Sequence, residues 1–312
     1  MSDLPATGDT LPQLDEALVQ RLLAAQFPQW SGLPVRKVRP GGWDNRTFRL
    51  GDELAVRLPS AHRYVAAVEK EQHWLPRLAP QLPLPIPAPV ARGEPGEGYP
   101  FPWSVNRWLA GEPPTAGTLA QAGDDGVAFA CQLAGFLRAL QAIDAADGPA
   151  AGAHNFHRGG DIAVYDAQAR EAIDRLAGEL LAGQLDVGLA RAAWERARGS
   201  RWHRAPVWIH GDVAATNLLV QDGRLCAVID FGTCGTGDPA CDLVIAWTFL
   251  PPPAAAAFRD ALALDDDTWA RARGWALWKA AIMLSGVSPG RHDPAHTRTV
   301  LHRVLAEHAA SA

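Results

Sequence analysis

The sequence predicts an α+β fold in two lobes: a small N-terminal lobe with an antiparallel sheet plus a helix, and a larger, mainly α C-terminal lobe. Three observations predict it. The 312-residue chain exceeds what one hydrophobic core usually organises. Short β-type runs fill positions 35–58, whereas apolar residues recur at helical spacing through most of the second half. A proline-rich stretch, 76–114, separates the two regimes.

Taken in order, Leu11, Leu14, Leu18, Leu22 and Leu23 mark an amphipathic helix over residues 11–27. Runs at 35–39, 47–50 and 54–58, separated by Gly41-Gly42 and Gly51-Asp52, read as a small antiparallel meander. Val65, Val68, Trp74, Leu75 and Leu78 restore the helical period over 64–78. Pro83, Pro85, Pro87 and Pro89 alternate with apolar residues, which forces an extended edge-strand or polyproline segment, taken as the connection between lobes. The lobes are accordingly expected at 1–108 and 109–312. Helices are expected at 127–143, 166–181, 254–263 and 268–284.

Composition narrows the function. Apolar residues make up 48% and charged residues 20%, an ordinary globular balance. The net charge of −5 and the lack of any long Lys/Arg block argue against a nucleic-acid partner. Cys226, Cys234 and Cys241 have neither metal-site nor disulfide-framework spacing and read as reduced thiols. The N-terminus lacks the features of a signal peptide. The most apolar run, 243–250, is cut by prolines well short of the roughly 20 residues that span a bilayer. A cytoplasmic protein with no membrane partner is expected.

Two strand-flanked motifs carry the chemistry. His210-Gly211-Asp212 with Asn217 follows the apolar run Val207-Trp208-Ile209, and Asp230-Phe231-Gly232 follows Cys226-Ala227-Val228-Ile229. Asp222-Gly223 between them is a hairpin turn signal. With that turn, Gln221 pairs with Arg224 and Asn217 pairs with Val228, leaving Asp230 two residues further along the same face. An amide oxygen and a carboxylate so placed can share Mg²⁺, a hard cation that fills its remaining positions with water and phosphate oxygens. Asp212, in the loop beside them, can orient an attacking hydroxyl and take its proton.

These residues resemble the aminoglycoside phosphotransferase family, small-molecule relatives of protein kinases. Its motif is His-Gly-Asp-x4-Asn followed by a metal-holding Asp. The resemblance extends to Gly237-Asp238-Pro239-Ala240-Cys241-Asp242-Leu243, where Asp238 and Asp242 read as structural, with Asp238 as a helix N-cap. It implies a protein-kinase-like two-lobe fold and transfer of the γ-phosphate of ATP or GTP to a hydroxyl of a small molecule, with Mg²⁺ as cofactor. It further implies Asp212 as base, and Asn217 and Asp230 as metal ligands.

In the first lobe the resemblance places Gly41, Gly42 and Asn45 in the phosphate-covering loop. Arg57 stands where the family has a Lys that pairs with a helix Glu and touches the nucleotide phosphates. Glu71 is the expected partner, with Glu69 the other candidate. Residues 106–112 resemble the adenine-binding hinge, which makes Arg107, Trp108 and Leu109 nucleotide-binding candidates, Leu109 through its backbone.

The acceptor is open between an aminoglycoside-type antibiotic and a metabolite such as an amino sugar, amino alcohol or macrolide. Asp161, Asp166, Glu171, Asp174 and Asp265–Asp267 are candidate contacts for ammonium groups, but solvated helix faces and helix caps explain the same residues. Trp74, Trp194, Trp247, Trp275 and Trp278 read as core. The second functional reading, prompted by Arg57 in place of Lys, is a nucleotide-binding module with little catalysis.

Overall fold

A computed structural model of the chain describes residues 12–39, 41–121, 124–179, 186–288 and 293–311. Leu11 and positions 180–181 of the expected helices lie outside them. The chain forms two compact units, Met1–Pro80 with Ile86–Leu109, and Gln81–Pro85 with Ala110–Ala312.

In the first unit, α1 (Glu16–Gln26) starts where the Asp15 carboxylate accepts a hydrogen bond from the Leu18 amide, the usual way an Asp N-cap satisfies an orphan donor. Strands β1 (Val35–Lys37), β2 (Asn45–Leu50) and β3 (Leu54–Pro59) form the expected meander. Helix α2 (Val65–Leu78) follows, then β4 (Pro89–Gly93) and β5 (Trp103–Arg107). The five strands make one sheet in the order β1-β2-β3-β5-β4, every neighbour antiparallel. Leu18, Leu22 and Leu23 of α1 cover its inner residues Phe48, Val56, Trp103 and Val105, all without solvent exposure. Burial of each large side chain is worth about 1.5–3 kcal/mol.

The proline-rich stretch is not one extended connection. Pro76 lies inside α2, and Pro89 opens the edge strand β4, where a missing amide proton costs no ladder bond. Gln81–Pro85 joins the second unit, where the Val228 amide donates to the Pro85 carbonyl.

The second unit is mainly helical: α3 (Ala116–Gln121), α4 (Val127–Ala142), α5 (Asp166–Glu179), α6 (Val187–Gly199), α7 (Ile245–Thr248), α8 (Pro252–Leu262), α9 (Asp266–Leu284) and α10 (Pro294–Ser311). Asp265 caps α9, accepting from both the amide and the hydroxyl of Thr268, so the acidic triplet does start a helix. Sequence periodicity missed α6. Its buried face is Ala190, Ala193 and Ala197 around Trp194, and alanines make a weak apolar stripe.

Two small antiparallel pairs carry the motifs. Strand β6 (Val207–Ile209) pairs with β9 (Gly235–Gly237), and β7 (Leu218–Gln221) with β8 (Arg224–Val228). Asp222 (φ 51°) and Gly223 (φ 73°) both adopt left-handed backbone, the turn a two-residue hairpin favours. Gln221 pairs with Arg224 as expected, but the register then shifts: Val220 pairs with Leu225, Leu219 with Ala227 and Leu218 with Val228. Cys226 is the extra residue of a bulge, its Sγ 3.2 Å from the Leu219 carbonyl oxygen. The expected pairing of Asn217 with Val228 is therefore wrong by one residue. Asn217 instead lies opposite Ile229, whose amide donates to its carbonyl at 2.9 Å.

Candidate active site

The loop after β6 is held from below by a buried carboxylate. Asp242, fully buried, accepts from the His210 amide through Oδ2 at 2.8 Å and from the Gly211 amide through Oδ1 at 2.7 Å. Burial pushes the Asp242 carboxyl up, and its hydrogen bonds to the two amides work in the opposite direction. His210 is also fully buried: its Nε2 lies 2.9 Å from the Ile229 carbonyl oxygen, and its Nδ1 accepts from the Asp212 amide at 3.2 Å. A neutral imidazole protonated at Nε2 satisfies both contacts. Gly211 has φ +86°, and a Cβ there would lie 2.4 Å from the Thr233 carbonyl oxygen, so the middle position of His-Gly-Asp accepts only glycine.

This scaffold presents Asp212 beside Asn217. The Asn217 side-chain amide donates to the Asp212 backbone carbonyl at 2.9 Å and to Asp212 Oδ2 at 3.1 Å. Asp212 Oδ1 faces Lys279 Nζ of α9 at 3.4 Å. Enclosure by protein atoms favours the protonated acid, but the positive charges of Lys279 and Arg158 outweigh it and hold the Asp212 carboxyl below its usual range. The side chain stays 40% exposed, open to a reactant.

With its amide nitrogen committed to Asp212, Asn217 offers Oδ1, which makes no hydrogen bond among the described residues. Asp230, in left-handed backbone (φ 68°), immediately follows the Ile229 that is bonded to Asn217. One amide oxygen and one carboxylate at adjoining positions fit Mg²⁺, which takes few protein ligands and completes its shell with water and phosphate. Among the described residues no three His, Cys, Asp or Glu cluster as a metal cage.

In the first unit, Arg57 Nη1 lies 2.9 and 2.7 Å from the two carboxylate oxygens of Glu71, with both side chains nearly buried. Glu71 rather than Glu69 is the helix partner. Asn45 opens β2 and is 9% exposed. Gly41 and Gly42 have neither positive φ nor a crowded Cβ position, so the local fold does not require glycine at either. The Arg107 and Trp108 amides are committed to the Ala88 and Glu53 carbonyls, and their side chains to Glu53 and Arg49. Leu109 is the one of the three whose backbone makes no hydrogen bond among the described residues.

Beside Asp212, α9 and α10 wall a cavity of about 340 Å³. Trp275, Trp278 and Lys279 line it from α9, and His296 and Val300 from α10. Arg158 lines it as well, its guanidinium carbon 4.9 Å and 5.2 Å from the Trp275 and Trp278 ring centres. Trp275 and Trp278, expected as core, are nearly buried, yet they form the wall of this cavity. Trp194 and Trp247 are core as expected.

The model of the phosphotransferase enzyme family (APH) matches residues 35–275. The chain belongs to this phosphotransferase family. Several solved structures share its fold. The GDP and kanamycin complex of an APH(2'') phosphotransferase matches with a TM-score of 0.67 at 19% identity, covering 94% of this chain and 98% of that one. ADP-bound aminoglycoside phosphotransferase APH(2'')-Ib matches at 0.60 and 17%, covering 94% and 97%. Macrolide 2'-phosphotransferase MphH from Brachybacterium faecium matches at 0.57 and 20%, covering 92% and 97%. No curated protein matches the sequence.

All the acidic candidates of this phosphotransferase except Asp266 are engaged elsewhere. Asp161 pairs with Arg201, Glu171 with Arg175, Asp174 with Arg191, Asp265 with Arg204 and Asp267 with Arg196. Asp166 accepts from Trp194 Nε1 and pairs with Arg170. None of them lines the cavity. Sequence reasoning missed Arg158 and Lys279 because each is an isolated cation far along the chain from Asp212.

Proposed function

We propose that the protein transfers the γ-phosphate of ATP or GTP, with Mg²⁺, to a hydroxyl of a small molecule, with Asp212 as base. The observation that carries this reading is the Asp212 carboxylate, ionised, open to solvent and oriented by Asn217 on a loop that Asp242 holds. The acceptor hydroxyl donates a hydrogen bond to Asp212, and its oxygen attacks the γ-phosphorus. The bridging bond to the β-phosphate breaks, the proton passes to the carboxylate, and a nucleoside diphosphate leaves. Mg²⁺, held by Asn217 and Asp230, would neutralise charge on the phosphate oxygens.

The first unit would supply the nucleotide contacts: Gly41, Gly42 and Asn45 at the phosphates, Arg57 steadied by Glu71, and the backbone of Leu109 at the base. Gly41 and Gly42 are free of any conformational need, which supports a role in close approach to a ligand. Intact Asp212, Asn217 and Asp230 favour catalysis over a silent binding module. A nucleotide-consumption screen across hydroxylated compounds tests this, since no turnover despite nucleotide binding would support the module instead.

Glu71→Gln keeps the shape of the Arg57 contact but removes its charge. It is expected to raise the KM for nucleotide about five- to twentyfold, the difference between a charge-assisted and a neutral hydrogen bond, and to leave the acceptor KM unchanged. Steady-state kinetics with each substrate varied separately checks it; an unchanged nucleotide KM removes Arg57 from phosphate binding.

Because the base must be ionised, activity falls as pH drops through the Asp212 pKa, which lies below the usual 3.8. Lys279→Met removes a charge that lowers this value, so the acid limb of kcat/KM is expected to move to higher pH. Matched pH profiles of the two proteins read the shift, and coincident acid limbs would contradict the assignment.

A further inference from the structure

The wall of the cavity beside Asp212 is cationic and aromatic. Asp212 is the one carboxylate among its lining residues, and Lys279 already faces it at 3.4 Å. Arg158 has no ion pair among the described residues, and its Nη1 is enclosed without a hydrogen-bond acceptor. An enclosed guanidinium nitrogen without an acceptor is costly, and stacking on indole rings offsets only part of that cost.

The segment bearing it is built to hold it there. Phe156 (φ 52°) and His157 (φ 54°) both adopt left-handed backbone just before Arg158, a conformation that costs on the order of 1–3 kcal/mol per residue and persists only where surroundings impose it. Fully buried Asn155 imposes it, accepting from the Gly152 amide at 3.0 Å and donating to the Arg158 carbonyl at 2.9 Å. Trp278 is fixed as well: Tyr165 stacks on it at 4.2 Å, and its Nε1 donates to Gln168 at 2.8 Å.

We infer that the acceptor is an anionic hydroxylated compound with an apolar or aromatic body, its carboxylate-type group paired with Arg158 against Trp275 and Trp278. This rests on the phosphotransfer reading above. A polyammonium acceptor would meet Arg158 and Lys279 with no carboxylate to spare, because Asp212 must stay available to the hydroxyl. An aromatic acid meets complementary charge and the indole edges that line the cavity.

The test measures calorimetric binding and nucleotide turnover with 4-hydroxyphenylacetate, its methyl ester and kanamycin. The acid is expected to bind at least about tenfold more tightly than the ester, and kanamycin more weakly than either. Arg158→Gln should collapse the acid-over-ester ratio about tenfold or more, and Arg158→Lys should restore part of it. The proposal is overturned if wild-type protein binds acid and ester equally, binds no acid, or prefers kanamycin. An equal loss for acid and ester in Arg158→Gln also overturns it, assigning Arg158 to the transferred phosphate. The wild-type comparison stands even if the variant does not fold. Asp212→Asn separates the two readings: acid binding with turnover intact sinks the base assignment alone, whereas lost turnover without acid preference sinks this proposal alone.

Discussion

Asp212→Asn is expected to lower kcat by about 10²–10⁴-fold while the protein stays folded and binds nucleotide. The substitution is isosteric, so the neighbouring contacts limit its structural effect. The Asn217 amide can still donate to the backbone carbonyl of residue 212 and to the new side-chain oxygen, and the Asp242 contacts to the two preceding amides are untouched. Lys279 loses its partner but is 41% exposed and can turn to solvent. What disappears is the negative charge and the basic lone pair needed to accept the hydroxyl proton. The signature is a fall in kcat with little change in the KM for nucleotide, measured on protein whose melting temperature is close to wild type. A loss of less than tenfold would place the base elsewhere.

Asp242→Ala is expected to be the most destabilising single change near the site, at about 3–5 kcal/mol. Two buried amides, of His210 and Gly211, each lose a charged acceptor at under 3 Å, and no water-filled route replaces it because Asp242 has no exposure. For a unit of this size that corresponds to a fall in melting temperature on the order of 10 °C. Activity should fall with it, since the same amides set the position of Asp212. Asp242→Asn is the informative control. It keeps one acceptor oxygen but turns an NH₂ toward a backbone N–H, so it should be nearly as damaging as alanine. A wild-type melting curve for Asp242→Ala would contradict this account.

The buried pair behind the site follows the same logic. Asp238 caps the turn that begins at Pro239, its carboxylate accepting from the Ala240 amide at 3.1 Å, while Arg271 of α9 reaches it at 2.6 Å. The N-cap was legible from Asp-Pro. The partner was not, because Arg271 lies 33 residues away and is buried in a helix whose residues face protein on nearly every side.

Local chemistry let the sequence by itself determine a good deal. Apolar periodicity set the order of sheet and helices, Asp222-Gly223 set the hairpin turn, and His-Gly-Asp-x4-Asn with Asp-Phe-Gly marked the family and the loop that bears Asp212. Each of these is a pattern between residues a few positions apart. Only the tertiary structure decided three things. The bulge at Cys226 moved Asn217 opposite Ile229, and a strand pattern records alternation but not an inserted residue. The glycine of His-Gly-Asp proved to be required by the approach of Thr233, 22 residues downstream. The cavity wall that α9 supplies through Trp275, Trp278 and Lys279 was invisible because that helix is buried almost all round: a helix without a polar face does not announce which side meets the core and which meets a ligand.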